Sequence, residues 1–314
     1  DATCANAPVF TASVAVNGNG IYTSPPYAPP AVGTYRWIAA YGGDANNAGV
    51  SGVCGDAGES AAVGAAVPTI ATVASAGGAI GVAVSDQATL AGGFAPTGAL
   101  TFSLYGPDDA ACASAPVFSS TVAVAGNGSY VSSPFTPIVA GAYRWRAVYG
   151  GDARNAAVAG LCNDAGESVT VVQTVPVMTT LASAGGAVGT ALTDKATLSG
   201  ATAAGGTLTF LLYAPGDATC AAAPVFTSSA VGVNGNGDYT STPAYVAGAP
   251  GVYRWRAVYS GDANNAPVKG ACNDAGESAV VAKAAPSLVT AASPPITLGG
   301  AIGEVQQGEP RAEE

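Results

Sequence analysis

The sequence predicts an all-β protein built of thin β-sandwich domains in tandem, and three observations carry that expectation. The chain repeats itself every 108 to 110 residues. Cys4, Cys112 and Cys220 open one phrase (CANAPVF, CASAPVF, CAAAPVF), Trp37, Trp145 and Trp255 sit in a second (YRWIAAY, YRWRAVY, YRWRAVY), and Cys54, Cys162 and Cys272 open a third (CGDAGES, CNDAGES, CNDAGES). A period of that length is a whole domain rather than a solenoid unit, whose repeats run about 20 to 50 residues. Composition is the second observation: 49% of residues are hydrophobic, mainly Ala and Val with 1 Met and 7 Phe, and there are 43 Gly. Small β-branched side chains suit pleated surfaces and Gly suits turns. Third, short runs alternate apolar with polar residues, the period of a half-buried strand, so almost no helix is expected.

The second copy can be read from turn to turn. Residues 69–75 (TIATVAS) alternate and stop at a Gly-Gly break, and 86–90 (DQATL) run into Gly92-Gly93. Leu100, Phe102 and Leu104 then alternate with Thr101, Ser103 and Tyr105. After Cys112, two apolar runs (PVFSSTVAV and SYVSSPF) flank Asn127-Gly128, which reads as a hairpin, with Asn19-Gly20 and Asn236-Gly237 as its equivalents. In 141–149 (GAYRWRAVY), Tyr143, Trp145, Ala147 and Tyr149 alternate against Arg144, Arg146 and Val148, and 167–172 closes the unit.

About seven short antiparallel strands in just over 100 residues fit an immunoglobulin-like sandwich. The GxYxW phrase at Gly33, Gly141 and Gly251 resembles the tyrosine corner of that fold. Trp stands where antibody domains carry Cys, so a disulfide here would tie the segment after the third strand to the loop after the sixth. The strand phrases TGALTFSLYGP and GGTLTFLLYAP, the phrases YRWRAVYGGDARN and YRWRAVYSGDANN, and the strands led by Pro68, Pro176 and Pro286 resemble the bacterial Ig-like domain repeats of secreted and cell-surface proteins. The resemblance implies a stalk, spacer or adhesion role and brings no catalytic residues. It divides the chain into a partial domain at 1–66 lacking its first three strands, complete domains at 67–174 and 175–284, and the first strand of a further copy plus a tail at 285–314.

Charge and residue usage exclude several functions. A net charge of −10 with ten Lys plus Arg would repel phosphate, so no nucleic acid partner is expected. No His occurs, which removes the commonest general base and metal ligand, and Ser-His-Asp or Cys-His catalysis cannot be assembled. The chain is therefore expected not to be an enzyme and to need no cofactor. The six Cys recur as one pair per repeat, which reads as a disulfide framework made in an oxidising compartment, outside the cell or on its surface. Pairing within each repeat, Cys4 with Cys54, Cys112 with Cys162 and Cys220 with Cys272, uses all six and is the expected set, whereas pairing Cys54 with Cys112 and Cys162 with Cys220 would leave Cys4 and Cys272 for bonds between chains. The apolar stretch 61–84 contains Pro68 and four Gly and recurs near 169–192, so strands explain it better than a membrane span.

The repeats are out of phase with the ends. Asp1 aligns with Asp109 and Asp217, while 287–293 (SLVTAAS) matches a first strand and EVQQGEPRAEE departs from the pattern. An open half-sandwich is prone to pair with another chain. The expected partners are either further copies of the chain, joined head to tail by strand addition, or neighbouring Ig-like domains of a longer array.

No metal is expected, although acids recur around the loop after the sixth strand. Asp152, Asp164 and Glu167, near Asn155, form a weak calcium candidate with equivalents at Asp44, Asp56 and Glu59 and at Asp262, Asp274 and Glu277; no spacing matches a known calcium loop, and turn formation, with the Glu opening the last strand, explains them better. Arg36, Arg144, Arg146, Arg254 and Arg256 are expected to cross-link their sheet to neighbouring acids. Tyr105, Tyr149, Tyr213 and Tyr259, read as exposed, are ordinary strand residues by default, with a carbohydrate platform as the alternative. The leading expectation is a structural stalk or filament subunit; the alternative is an adhesin that recognises a glycan or another surface protein.

Overall fold

A computed structural model describes the backbone of residues 1–292, 294–301 and 303–308. Every regular element among them is a β-strand, and none is a helix long and apolar enough to cross a membrane. The chain divides into two compact units, Asp1–Val171 and Val172–Glu314.

In the first unit, one sheet runs in the order Gly128–Val131, Asp86–Ala91, Thr69–Ala74. A second runs Gly78–Ala79, Ser168–Val172, Gly141–Tyr149, Ala99–Tyr105, Phe118–Ala123, with Val158–Ala159 also on the Gly141–Tyr149 strand. Ala88 and Leu90 from the first sheet and Leu100, Phe102, Leu104, Trp145 and Tyr149 from the second pack into one core. Pleating puts alternate residues on one face, and burial alternates along 141–149, with Tyr143, Trp145, Ala147 and Tyr149 inward.

The second unit repeats the plan. Val177–Ala182, Asp194–Ser199 and Gly237–Thr240 form the small sheet; Gly186–Ala187, Ser278–Ala282, Gly251–Tyr259, Thr207–Tyr213 and Phe226–Thr227 form the large one. The core again joins both sheets, with Leu198 facing Phe210, Leu212 and Trp255.

Residues 1–66 contribute less. Gly33–Arg36 pairs with Ser60–Val63 and Ala40–Tyr41 with Val50–Ser51, while 1–32 form no strand. In the complete copies the equivalent runs pair with 86–91 and 99–105, and no counterpart of those two strands lies in 1–66. The aromatic cluster nevertheless keeps its geometry. Phe10 meets Trp37 edge-on at 5.8 Å, as Phe118 meets Trp145 and Phe226 meets Trp255 at 6.0 Å. The open face shows in exposure: Trp37 is 37% exposed, against 0% for Trp145 and Trp255.

Three expectations are corrected. The Asn127-Gly128 turn does not close a hairpin, because Phe118–Ala123 pairs with Ala99–Tyr105 whereas Gly128–Val131 pairs with Asp86–Ala91 in the other sheet. The chain crosses between sheets there, and the Tyr130 hydroxyl closes the crossing by donating to Gly126 O and accepting from Ala125 N. Second, EVQQG does not leave the pattern. Glu304–Gly308 pairs with Leu288–Ala292 in the register Ala292↔Glu304, matching Ala74↔Asp86 and Ala182↔Asp194. The rest of that tail, 309–314, lies outside the described residues. Third, Tyr149 and Tyr259 are fully buried because their strand phase is that of the core, and Tyr213, on the outer phase of its strand, is only 5% exposed. A platform of exposed tyrosines does not form there.

Candidate functional site: buried carboxyl pairs between two sheets

The structure joins Cys4 to Cys54, Cys112 to Cys162 and Cys220 to Cys272, with Cα atoms 5.8, 5.9 and 5.8 Å apart. Each bond begins in a loop wound around an acid. The Asp109 carboxylate accepts from the backbone of Ala111, Ala113 and Ser114, and Asp1 and Asp217 do the same in their copies. That winding forces the first Cys of each pair into the left-handed region, at φ 50, 48 and 52°.

The arginines do not pair with acids. Arg144 donates Nε to the Asn163 side chain, which donates to Ala110 O, so strand and disulfide loop are braced together; Arg254 and Asn273 repeat the brace on Ala218. Arg146 and Arg256 donate Nε to Gly160 O and Gly270 O at 3.0 Å. An arginine on the outer face thus reaches loop carbonyls and amides, because the acids of that loop are already engaged. Among the described residues the ion pair is Lys195 with Asp238, 3.0 Å apart on the small sheet's surface.

Asp152, Asp164 and Glu167 are used separately rather than brought to one cation, and no group of three potential metal ligands forms among the described residues. Asp152 accepts through Oδ1 from Arg154 N, Asn155 N and Asn155 Nδ2, and through Oδ2 from Thr97 N, Thr97 Oγ1 and the Tyr149 hydroxyl. Those donors, led by the backbone N–H groups of Arg154 and Thr97, hold its carboxyl well below the usual range. Its equivalent Asp44 is held down to about 2, first by Asn46 N–H and then by the Asn47 side chain and the Tyr41 hydroxyl. Asp164 caps Leu161 N at 2.7 Å.

The Asp-x-x-Asn turn also receives the preceding linker. Ala66 N donates to Arg154 O and Ala66 O accepts from Ala156 N, both at 2.8 Å; Thr174 makes the same pair of bonds to Asn264 O and Ala266 N. Asn155, 2% exposed, fixes the turn by accepting from Phe94 N and donating to Phe94 O. Asn155→Ala removes the side-chain partner of both Phe94 backbone groups, which are part-buried, so a loss of about 1–2 kcal/mol is expected. Urea unfolding of the variant checks it; an unchanged midpoint would show that the turn holds itself.

Glu167 belongs elsewhere, in a site that the acid spacing hid. It precedes the Ser168–Val172 strand of the large sheet, is 1% exposed and lies against Asp86, the equally buried first residue of a small-sheet strand. Asp194 and Glu277 repeat the arrangement at 0% and 1%. None of the eight carboxyl oxygens makes a hydrogen bond of ordinary geometry. Burial pushes Asp86 up to about 6 and, with the Asp86 charge adding to it, pushes Glu167 up to about 7. The same causes raise Asp194 and Glu277. Two like charges in a dry contact cannot both ionise, so such a pair holds a proton between its members.

No protein-family model matches the chain, and no curated protein matches its sequence. Among solved structures, Escherichia coli alpha-2-macroglobulin activated by porcine elastase is similar over 83% of this chain and 26% of that chain, at 13% identity and a TM-score of 0.25.

Proposed function

We propose that the chain is a non-enzymatic extracellular structural protein, in which immunoglobulin-like sandwiches at 67–174 and 175–284, each with its own disulfide, act in series as a stalk or filament element. The observation that carries the reading is the docked linker: Ala66 and Thr174 are each hydrogen-bonded on both backbone groups into the turn of the following copy. A load-bearing array needs connections held by backbone bonds, and flexible linkers would be Gly/Ser-rich and unpaired.

Further features support the finer parts. The strand order, with the second strand between the first and fifth in one sheet and the sixth between the third and seventh in the other, is that of immunoglobulin-like domains. The hydroxyls of Tyr35, Tyr143 and Tyr253 donate to the carbonyls of Ala31, Val139 and Ala249, the bond that defines a tyrosine corner. Three disulfides favour an oxidising, extracellular setting. The open face of 1–66 and the Leu288–Gly308 hairpin favour completion by another copy or by neighbouring domains. A glycan-binding reading loses support, since Tyr149 and Tyr259 lie in the core and Tyr213 is 5% exposed.

Single-molecule force spectroscopy on the full chain tests this. Two mechanical steps are expected, each releasing roughly 200 Å of contour while the disulfides are intact and roughly 390 Å after reduction, at about 3.6 Å per extended residue. A single step for both copies, or release at negligible force, would remove the load-bearing role. Mass photometry of the same sample tells self-assembled chains from single ones.

A further inference from the structure

We propose that each complete copy carries a proton-bridged carboxyl pair, Asp86–Glu167 and Asp194–Glu277, that latches its two sheets together and lets go when the proton is lost. The inference goes beyond the structural role above and stands whether or not the chain bears load. Its basis is placement. In both copies one acid comes from the small sheet, its partner from the start of the last strand of the large sheet, and both are at least 99% buried. An isolated buried carboxylate is among the most unfavourable groups in a protein interior. Neither pair has a compensating partner of ordinary geometry.

Among the described residues the surroundings supply no countercharge. From the Thr69–Ala74 strand the Thr72 hydroxyl approaches Glu167, from the small sheet the Gln87 N–H approaches Asp86, and the nearest further charge is the acid Asp164. Around the second pair the corresponding groups are Thr180, the Lys195 N–H and Asp274. The Lys195 ammonium itself turns outward to Asp238. With no cation at hand, a proton on one carboxyl, donated to the other, satisfies both. The acid is also a fixed feature of its strand position: Asp86 and Asp194 occur in the registers Ala74↔Asp86 and Ala182↔Asp194, and the Leu288–Ala292 hairpin places Glu304 opposite Ala292.

The direction of the pH effect follows from linkage. Because the folded state holds the proton more tightly than the unfolded chain, the stabilisation is complete below the ordinary carboxyl range. It fades as pH rises through the raised values, about 7 for Glu167 and higher for Glu277. Loss of the second proton leaves two negative charges facing each other between the sheets.

The experiment is a thermal-unfolding series on the full, disulfide-intact chain from pH 5 to 8.5, with the double variant Glu167→Gln, Glu277→Gln beside it. The wild-type midpoint should fall by roughly 10 °C across the range, while the variant, whose amides donate to Asp86 and Asp194 at every pH, should stay nearly level. Infrared spectroscopy of the wild type at pH 6 should show the protonated-carboxyl stretch for at least two groups per chain, and this readout survives even if the variant fails to fold. Parallel pH curves, or a missing carboxyl band, would overturn the latch. So would a calcium-dependent rise in midpoint confined to the wild type, which would make the pair a cation site.

Discussion

Replacing Trp145 or Trp255 by Ala is expected to bring its copy to the edge of unfolding, whereas the same change at Trp37 has a small effect. Trp145 and Trp255 are 0% exposed, and each takes the edge contact of a Phe ring at 6.0 Å. Emptying such a site costs about 3–5 kcal/mol in lost burial and cavity. That is a large share of the 5–15 kcal/mol by which an ordinary domain is stable. Trp37 keeps the edge contact with Phe10 at 5.8 Å but is 37% exposed, since the strands that cover its equivalents have no counterpart in 1–66. Its removal should cost about 1–2 kcal/mol, in proportion to the area still buried. Hydrogen exchange resolved along the chain separates the cases: protection should collapse across the mutated copy for Trp145 or Trp255, and change only near the site for Trp37. Equal losses at all three would mean that 1–66 packs as tightly as the complete copies.

The different fates of these equivalent tryptophans follow from what period and phase can and cannot reveal. Period-2 alternation identifies a strand and its inward face, so the runs at 99–105 and 141–149 were legible down to the side each residue takes. Alternation says nothing about the partner strand. The Asn127-Gly128 signal is local and favours a hairpin, but burial of Phe118 and Tyr130 against opposite sheets overrides it. Phase accounts for Tyr149, which shares the inward side of Trp145, but not for Tyr213, which takes the outer phase and is covered nonetheless.

The carboxyl pair was the least visible feature. Asp86 and Glu167 belong to different sheets, and the clustering of Glu167 with Asp152 and Asp164 in sequence suggested a loop ligand set instead. Yet a signal existed: Asp86 takes the inward phase with Ala88 and Leu90 in one copy, and Asp194 does so with Ala196 and Leu198 in the next. An acid on the core side of a strand, repeated one period later, is either paired or protonated.

Removing a disulfide by the double change Cys112→Ser, Cys162→Ser should lower stability by about 3 kcal/mol without altering the native loop. The bond closes a segment with a sequence separation of 50. By the loop-entropy account, opening such a segment lets the unfolded chain gain about 4 kcal/mol of conformational freedom. Residual structure in the denatured chain reduces that gain, so the measured loss falls somewhat below it. The native loop has its own fastenings: Asp109 caps the turn before it, and the Arg144–Asn163–Ala110 chain ties its far end to the sheet. The loss should therefore come mainly through the unfolded state, and urea unfolding should show a lower midpoint with a larger or unchanged slope at near-native hydrogen exchange in 109–115 and 160–166. If exchange in those loops rises with the stability loss, the covalent bond holds the native loop as well. Adding Arg144→Ala to the double variant then distinguishes the two accounts, because only a loop that relies on its brace loses further protection when the brace is removed.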